Sequence, residues 1–352
     1  MPWLSTFRCF HENDGAHTKT HLLTQSPANM GWRAVTNAGR AFGAGSASFC
    51  ESSIVLSRAL CWLIGFGFAT LCYAEEPIAL ATVVEGDATL LRQTTKLAMR
   101  PGMRLLALDM LETGPKTHIV RIEFSSGAIA DLGPQTQVML APKLASGAKR
   151  RQATLYALSG WVKLSGTAGK DSAASQLLAA SLDVSGLTGA AVVSIQATGS
   201  QVFAESGTVN VTERRAGQAA PPLALKSGTL YARTGTDKAS VSAHPPSAFM
   251  QSVPKAFLDP IPARSELFKG RAEPPAKPLG DLSYAEATPW LAAEQPLRTL
   301  LVPHWKTKLN PDLRAGLARH IKAHPEWDRV LFPEKYLPAK PAPVASATPA
   351  SR

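Results

Sequence analysis

Cysteine is scarce in this chain and is confined to its N-terminal part. The 352 residues contain four cysteines, and all of them lie at or before position 72: Cys9, Cys50, Cys61 and Cys72. Residues 73–352 therefore have no disulfide, thiol nucleophile or thiolate metal site. Histidine is nearly as scarce, because His118 is the single histidine between residues 75 and 239. The sequence predicts a protein that is not an enzyme and has no catalytic residues and no cofactor.

Two histidines near the C-terminal end form the remaining candidate for metal binding. His320 and His324 are four residues apart, a spacing at which two histidines on one helical face can bind zinc. No cysteine can complete the ligand set, and the zincin order, with glutamate directly after the first histidine, is absent. Because histidines at a helix end commonly serve in capping, we predict no metal site here.

Long apolar runs are also missing, with one exception at residues 59–74. This run follows the lone Arg58 and ends at the small residue Ala74, the pattern of a secretory signal peptide. Its roughly 16 residues are short for a membrane span, which needs about 20. We therefore predict a signal peptide over residues 54–74, cleavage after Ala74, and a periplasmic bacterial protein without a transmembrane segment in its mature form.

The first 53 residues precede the position where such a signal peptide should begin. Residues 1–53 have no apolar periodicity and are rich in Gly, Ser, Thr, Asn and His, which predicts disorder. A start codon assigned too early explains this extension. The alternative is a true cytoplasmic tail in front of an uncleaved membrane anchor at residues 59–74.

The chain is basic, with a formal net charge of +11. Removing residues 1–74, which hold five Lys/Arg and three Asp/Glu, lowers this charge to +9. Export makes nucleic acid an improbable partner, and the tight cluster Lys149-Arg150-Arg151 lies in a turn without aromatic neighbours, which is typical of a solvated loop. An envelope protein and a cell-wall glycan remain as partners.

Short alternating runs fill the chain from residue 78 to about 233 and predict a mainly β fold, a sandwich or solenoid. A Ser-Gly pair recurs at the ends of such runs, at Gly127, Gly160, Gly207 and Gly228, where glycine supplies the positive φ of a tight corner. The predicted strands are Ala88–Arg92, Thr117–Phe124, Thr136–Leu140, Ala153–Leu158, Trp161–Leu164, Leu182–Val184, Ala191–Ile195, Val202–Ala204, Thr208–Val211 and Thr229–Ala232.

The order of turns in this β segment resembles the opening of a FecR domain. Five elements carry the resemblance: a Val-Glu-Gly strand, two glycine turns, a strand that ends in a Ser-Gly turn and a Leu-Gly-Pro strand, at Val84–Leu90, Met99–Leu105, Asp109–Gly114, Phe124–Ile129 and Leu132–Leu140. Val202–Val211 is similar to a later hairpin of that family. The turn residues that match the family pattern are Gly86, Gly102, Asp109, Thr113, Gly114, Gly127, Gly133 and Gly207.

The resemblance implies a periplasmic FecR-like β domain over residues 75–235 that binds, scaffolds or relays an envelope signal without catalysis. Well-known members of the family are anti-sigma regulators with a helical cytoplasmic domain, and residues 1–53 show no such helical pattern. Two alternatives stay open. One is a membrane-anchored regulator of the anti-sigma type, and the other is a peptidoglycan- or polysaccharide-binding module.

Proline density marks residues 236–280 as an extended, weakly ordered linker. Residues 281–337 form a small helical module, with helices predicted at Tyr284–Ala293 and Pro311–Ala323, the second capped by Asn310. Residues 338–352 are predicted to be disordered. Four aromatic residues of the module form a docking surface or, in the interpretation that we favour for the tryptophans, attach its helices to the β domain: Trp290, Trp305, Trp327 and Tyr336.

Overall fold

The computed structural model describes residues 75–146, 149–166, 175–215 and 218–337. The predicted disordered start at 1–53, the signal peptide at 54–74, all four cysteines and the tail at 338–352 lie outside these residues. Within the described residues, no helix is long and apolar enough to cross a membrane.

The β segment contains short strands, which confirms the mainly β prediction. The strands are β1 (Ala79–Glu85), β2 (Ala88–Arg92), β3 (Thr95–Ala98), β4 (Arg104–Leu105), β5 (Met110–Thr113), β6 (Ile119–Phe124), β7 (Ile129–Leu132), β8 (Gln137–Leu140), β9 (Lys143–Ser146), β10 (Lys149–Ser165), β11 (Ser175–Leu178), β12 (Leu182–Ser185), β13 (Ala190–Gln196), β14 (Gly199–Ser206), β15 (Thr208–Arg215), β16 (Gln218–Ala219), β17 (Leu223–Lys226), β18 (Leu230–Thr234), β19 (Ser240–Ser242) and β20 (Lys277–Asp281).

These strands form two sheets that share β10. Sheet A has the order β4-β1-β6-β7-β10-β13-β14-β18-β19. Sheet B has the order β20-β3-β2-β5-β8-β10-β11-β12-β15-β17. The ladders are antiparallel except for the parallel pair β10–β11, and β9 and β16 extend β10 and β15 as hairpin arms.

Strand β10 passes from sheet B to sheet A at Gly160. Before this glycine, Leu155 pairs with Leu140 of sheet B, and after it Val162 pairs with Leu132 of sheet A. Gly160 has a φ of 100°, and a Cβ atom there would lie 2.4 Å from the Cα atom of Thr136. Only glycine fits both conditions, so the crossing depends on this residue.

The predicted Ser-Gly corners are confirmed, since Gly127, Gly160, Gly207 and Gly228 all have positive φ. Gly86 turns the chain from β1 into β2 in the same way, with a φ of 110°. These corners carry the chain between the sheets or back along one of them.

The main core lies between the two sheets. Every second residue of a strand points inward, as in β14, where Val202 and Ala204 are buried and their neighbours are partly exposed. Leu90, Leu111 and Ile122 belong to the same cluster and are fully buried. Full burial of each such side chain stabilises the folded state by about 1.5–3 kcal/mol.

The proline-rich segment follows the outer face of sheet A. We call residues 245–276 the strap; it contains α1 (Ser247–Ser252) and the 3-10 turns Lys255–Phe257 and Ser265–Phe268. Phe249, Val253 and Phe257 of the strap pack on Val192 and Leu230 of the sheet. The prediction of an extended, weakly ordered linker at 236–280 therefore differs from the structure, because this segment contains a short helix and two 3-10 turns, and buried apolar residues hold it against sheet A.

The C-terminal helical module covers the outer face of sheet B. Its helices are α2 (Tyr284–Leu291), α3 (Gln295–Trp305), α4 (Pro311–Arg319) and α5 (Asp328–Leu331), with 3-10 turns at Pro325–Trp327 and Pro333–Tyr336. Ser283 and Glu286 form a capping box at the start of α2. The predicted cap of α4 is confirmed, because the Asn310 side chain accepts a hydrogen bond from the Leu313 backbone N–H.

Candidate functional site

Most of the motif turn residues lie where the chain passes between the two sheets, whereas Gly127 lies in the hairpin between β6 and β7 of sheet A. The Gly114 N–H donates to the Asp87 carbonyl at 2.8 Å. The Thr113 hydroxyl donates to the Gly133 carbonyl at 2.7 Å and accepts from the Thr136 N–H at 2.8 Å. These residues stabilise the turns through hydrogen bonds, and they do not bring reactive side chains together.

Asp109 and Glu112, the acidic pair of the motif turn, are engaged within the fold. Asp109 is 2% exposed and accepts two hydrogen bonds from the Arg92 guanidinium, at 3.0 and 2.7 Å. It also accepts from the Leu106 backbone N–H at 2.8 Å. Glu112 accepts from the Trp290 indole at 2.8 Å. The two carboxylates anchor neighbouring segments and do not converge on a shared cleft.

The three tryptophans of the helical module are buried, which restricts the predicted docking surface to one residue. Trp290, Trp305 and Trp327 have an exposed fraction of 0% and pack with residues on the outer face of sheet B. Tyr336 is 49% exposed, its hydroxyl donates to Asp328, and the Arg329 guanidinium lies over its ring. The buried rings fill the space between the module and the sheet, as expected for a small unit that needs large side chains.

The two C-terminal histidines flank a tyrosine. α4 ends at Arg319, so His320 and His324 follow the helix instead of sharing one of its faces. The His320 ring stacks on Tyr284, and the Tyr284 hydroxyl lies 3.0 Å from His324 Nε2. Burial lowers the pKa of His324. In the part of the chain that the structure describes, no group of three or more His, Cys, Asp or Glu could hold a metal.

Two adjoining clefts share Phe124 and Ser125 and form what we call the entry groove. Their volumes are about 310 and 430 Å³. The first cleft is lined by Ile78, Phe124, Ser125, Ser126, Ala141, Pro142, Lys143, Gln152, Ala153 and Thr154, and the second by Pro77, Ala79, Leu80, Arg104, Glu123, Phe124, Ser125, Gly127, Ser265 and Glu266. The groove therefore lies where β1 begins and β6 ends.

The groove combines apolar and charged surface. Ile78 and Phe124 belong to the margin of the main core, and they bring apolar side chains to the surface at this point. Lys143, Arg104 and Glu266 are exposed and carry charges of both signs along the lining. An apolar floor with a few placed polar groups is the usual composition of a binding site.

Glu123 joins the wall of the entry groove to the strap. Its carboxylate accepts hydrogen bonds from the Arg264 N–H at 2.7 Å and the Ser265 N–H at 2.8 Å. The Thr82 hydroxyl donates a third bond at 2.8 Å. Burial by itself raises the pKa of Glu123, but the hydrogen bonds from Arg264, Thr82 and Ser265 outweigh it and hold this pKa below its ordinary value of 4.5. The charged form of Glu123 is thus the form that secures the strap.

Replacing Glu123 by glutamine is expected to destabilise the protein by about 1.5–3 kcal/mol at neutral pH, because a charged acceptor of backbone N–H groups is lost. A lowered folded-state pKa gives a contribution that is complete above 4.5 and disappears as the pH falls through the lowered pKa. The difference between wild type and Glu123→Gln should therefore shrink in acid. Urea unfolding of both proteins between about pH 7 and pH 3 measures it.

Glu266→Gln is the matched control, because the Glu266 side chain is 83% exposed and pairs with Lys269 at 3.4 Å on the surface of the same strap. Its free energy of unfolding should differ from wild type by less than about 0.5 kcal/mol at every pH. A Glu123→Gln deficit that stays constant down to pH 3 would contradict the assignment of the pH-dependent step to this carboxylate.

Sequence patterns identified little of the entry groove in advance. Gly127 is the motif residue that lines it, and the remaining lining residues come from strands, turns and the strap without any shared motif. The recurring Ser-Gly pair at Ser126-Gly127 was the available signal, since it marks the turn beside the groove. The strap residues that complete the wall lie about 140 positions later in the chain, as in the hydrogen bond from the Arg264 N–H to Glu123.

The chain resembles two crystal structures of a candidate anti-sigma factor from Parabacteroides distasonis ATCC 8503, with 12% and 11% sequence identity and a TM-score of 0.32 in both cases. Each alignment covers 41% of this chain. The chain spans 64% and 65% of the length of those structures, which is less than two thirds. No family model matches the chain. No curated protein matches it either.

Proposed function

We propose that this chain is a non-catalytic binding module of the bacterial periplasm, exported by a signal peptide at residues 54–74 that is cleaved after Ala74, and that it takes part in scaffolding or signalling in the cell envelope. The observation that carries the proposal is the entry groove, an open cleft with an apolar floor and charged margins. The partner is an envelope protein that places an extended segment in this groove.

The use of the polar residues supports a non-catalytic role. Asp109 and Glu112 hold neighbouring segments through hydrogen bonds, and His324 pairs with Tyr284. Catalysis needs a nucleophile or base within hydrogen-bond reach of a reacting group in a cleft. The carboxylates that line the entry groove are engaged in the same way, because Glu123 accepts three hydrogen bonds and Glu266 pairs with Lys269 on the surface.

The position of the groove supports a protein ligand. Ile78 and Phe124 offer apolar contact, and the exposed turn at Ser125–Gly127 lies beside them. Extended segments place alternate side chains into pockets of this kind. The resemblance of the turn pattern to FecR domains is in keeping with a module of this kind, and membership of that family is part of the proposal.

Site-specific photocrosslinking in intact cells tests the proposal. A benzoylphenylalanine at Ser126 and another at Lys143 place the crosslinker in the lining of the groove. We expect both positions to give an adduct with the same envelope protein, recovered with this chain from the periplasmic fraction. The adduct is identified by mass spectrometry.

The control places the crosslinker at Lys322, an exposed residue of the helical module that does not line the groove. This position should not yield that adduct. Different proteins captured from the two groove positions, or the same protein captured equally from Lys322, would contradict recognition through the entry groove. Recovery of the chain solely from the cytoplasmic fraction would contradict export.

A further inference from the structure

A further cleft, separate from the two that form the entry groove, is lined by three arginines. It has a volume of about 520 Å³ and is lined by Ala180, Ser181, Arg214, Arg215, Arg233 and Thr236. The arginines stand at the ends of β15 and β18, and Ser181 lies in the turn between β11 and β12. We call it the arginine cleft.

The carboxylates around the arginine cleft are each shared between two guanidinium groups. Glu213 contacts Arg215 Nε at 2.6 Å and Arg233 Nη1 at 3.2 Å. Asp183 contacts Arg151 Nη2 at 2.5 Å and Arg214 Nη1 at 3.1 Å. Each acidic side chain therefore already serves two cations.

The lining of the arginine cleft is itself cationic. Of the described residues that line it, three are arginines and none is acidic. Glu294 pairs with Arg151 at 3.1 Å, on the side of the helical module. The side chain of Arg215 is 55% exposed, whereas the Arg233 side chain is 11% exposed, so the cationic surface combines one accessible group with one held in place.

We propose that the arginine cleft binds an oxyanion, a phosphate or carboxylate group carried by a ligand larger than the ion itself. Guanidinium groups present planar forks of N–H donors that match both oxyanions, and their hydrogen bonds to such groups are among the strong ones. The hydroxyls of Ser181 and Thr236 line the same cleft and can donate to oxygen atoms. Since a water molecule takes about 30 Å³, the cleft has room beyond a single oxyanion.

Salt bridges made only for stability do not require this arrangement. Water screens an exposed ion pair, so Arg215 adds little to the fold through Glu213. An anion in the cleft would bring a further acceptor to Arg215 and Arg233, which share Glu213. The site goes beyond the proposed function, because it needs neither the entry groove nor a protein partner.

Amide NMR of the purified protein titrated with sodium phosphate tests the proposal, with sodium chloride at matched ionic strength as the reference. We expect the amide signals of Ser181 and Thr236 to shift in a saturable manner with phosphate and to stay in place with chloride. A parallel titration with citrate distinguishes the sources of the oxyanion: tighter binding of phosphate assigns a phosphate ligand, and tighter binding of citrate a carboxylate.

Three variants make the result specific. Arg215→Gln should weaken binding about tenfold or more, since one hydrogen-bonded charge is lost. Thr236→Glu, at an exposed position, places a competing carboxylate in the cleft and should abolish saturation. Arg100→Gln removes the same charge from an exposed position outside the cleft and should leave the affinity unchanged. Equal shifts with chloride, or equal weakening by Arg100→Gln and Arg215→Gln, would overturn the proposal.

Discussion

Replacing Asp131 by alanine is expected to lower the free energy of unfolding by about 3–5 kcal/mol, because it leaves the charge of Arg121 buried without its partner. The pair is bidentate, with Arg121 Nε and Nη2 donating to the two carboxylate oxygens at 2.6 and 2.8 Å. The two side chains are 6% and 3% exposed. Chemical denaturation at neutral pH measures the loss.

The strap explains why this pair is buried. Arg121 Nη1 donates to the carbonyl oxygens of Ile261 and Pro262, so the same guanidinium binds sheet A to the segment that covers it. The double variant Arg121→Met/Asp131→Leu removes both charges and should recover much of the stability, although it leaves the two strap carbonyls without their donor.

Asp328→Ala is the control for this first prediction. Asp328 pairs at 2.9 Å with Lys335, whose side chain is 53% exposed, so water screens this pair and its loss should destabilise the protein much less. A loss of the same size in Asp131→Ala and Asp328→Ala would show that burial of the first pair does not govern its energetics.

Replacing Trp290 by alanine is expected to cost about 3–5 kcal/mol, the usual range when a buried tryptophan is truncated. The ring is fully buried, and its neighbours in the cluster include Leu91 and Met139 on the outer face of sheet B. Its indole N–H donates to Glu112 of β5 at 2.8 Å. Loss of this side chain should therefore loosen the helical module first, which hydrogen exchange over residues 281–337 would detect.

Trp290→Phe separates the two contributions of this side chain. Phenylalanine keeps an aromatic ring in the site but cannot donate to Glu112, which then retains the Gln137 amide at 3.0 Å as its partner. The loss in free energy of unfolding should be clearly smaller for Trp290→Phe than for Trp290→Ala. Equal costs for Trp290→Phe and Trp290→Ala would mean that the hydrogen bond, and not the packed volume, fixes the module on the sheet.

Local patterns were sufficient to predict the strands and corners. Residues 88–92 form a short run that contains Thr89, Leu90 and Leu91 and is bounded by turn residues, and β2 occupies the predicted positions Ala88–Arg92. The glycine corners were predictable because positive φ excludes most other residues. β10 is the instructive difference: the predicted strands Ala153–Leu158 and Trp161–Leu164 are parts of one continuous strand, because Gly160 bends it without interrupting its pairing.

Longer-range packing was not predictable, and β6 shows why. Val120, Ile122 and Phe124 face the main core, and the alternation places Arg121 and Glu123 on the opposite face, where a polar residue predicts solvent. All six residues of β6 are nevertheless buried. The strap that covers them follows more than a hundred residues later, and its prolines signal extended backbone without indicating where that backbone lies.

Some helices of the helical module could be predicted from the sequence and others could not. The cap at Asn310 and the start of α2 were readable from local sequence, but α3 at Gln295–Trp305 was not predicted, since Pro303 lies inside it. The burial of Trp305 and Trp327, whose ring centroids are 6.5 Å apart, depends on sheet B lying beneath them. From the sequence alone, both tryptophans could form a docking surface or pack inside the protein. Their burial against sheet B shows the packing role.

The shared strand β10 has a mechanical consequence. In the part of the chain that the structure describes, every ladder between strands β1–β9 and strands β11–β19 runs through it: β7 and β8 lie on one side, and β13 and β11 on the other. The strand ladders of the two halves are thus joined through one strand, which bends at Gly160. A force applied between the two halves of the β domain loads β10 and also the strap, because the strap bonds to β6 in one half and packs on Val192 and Leu230 in the other.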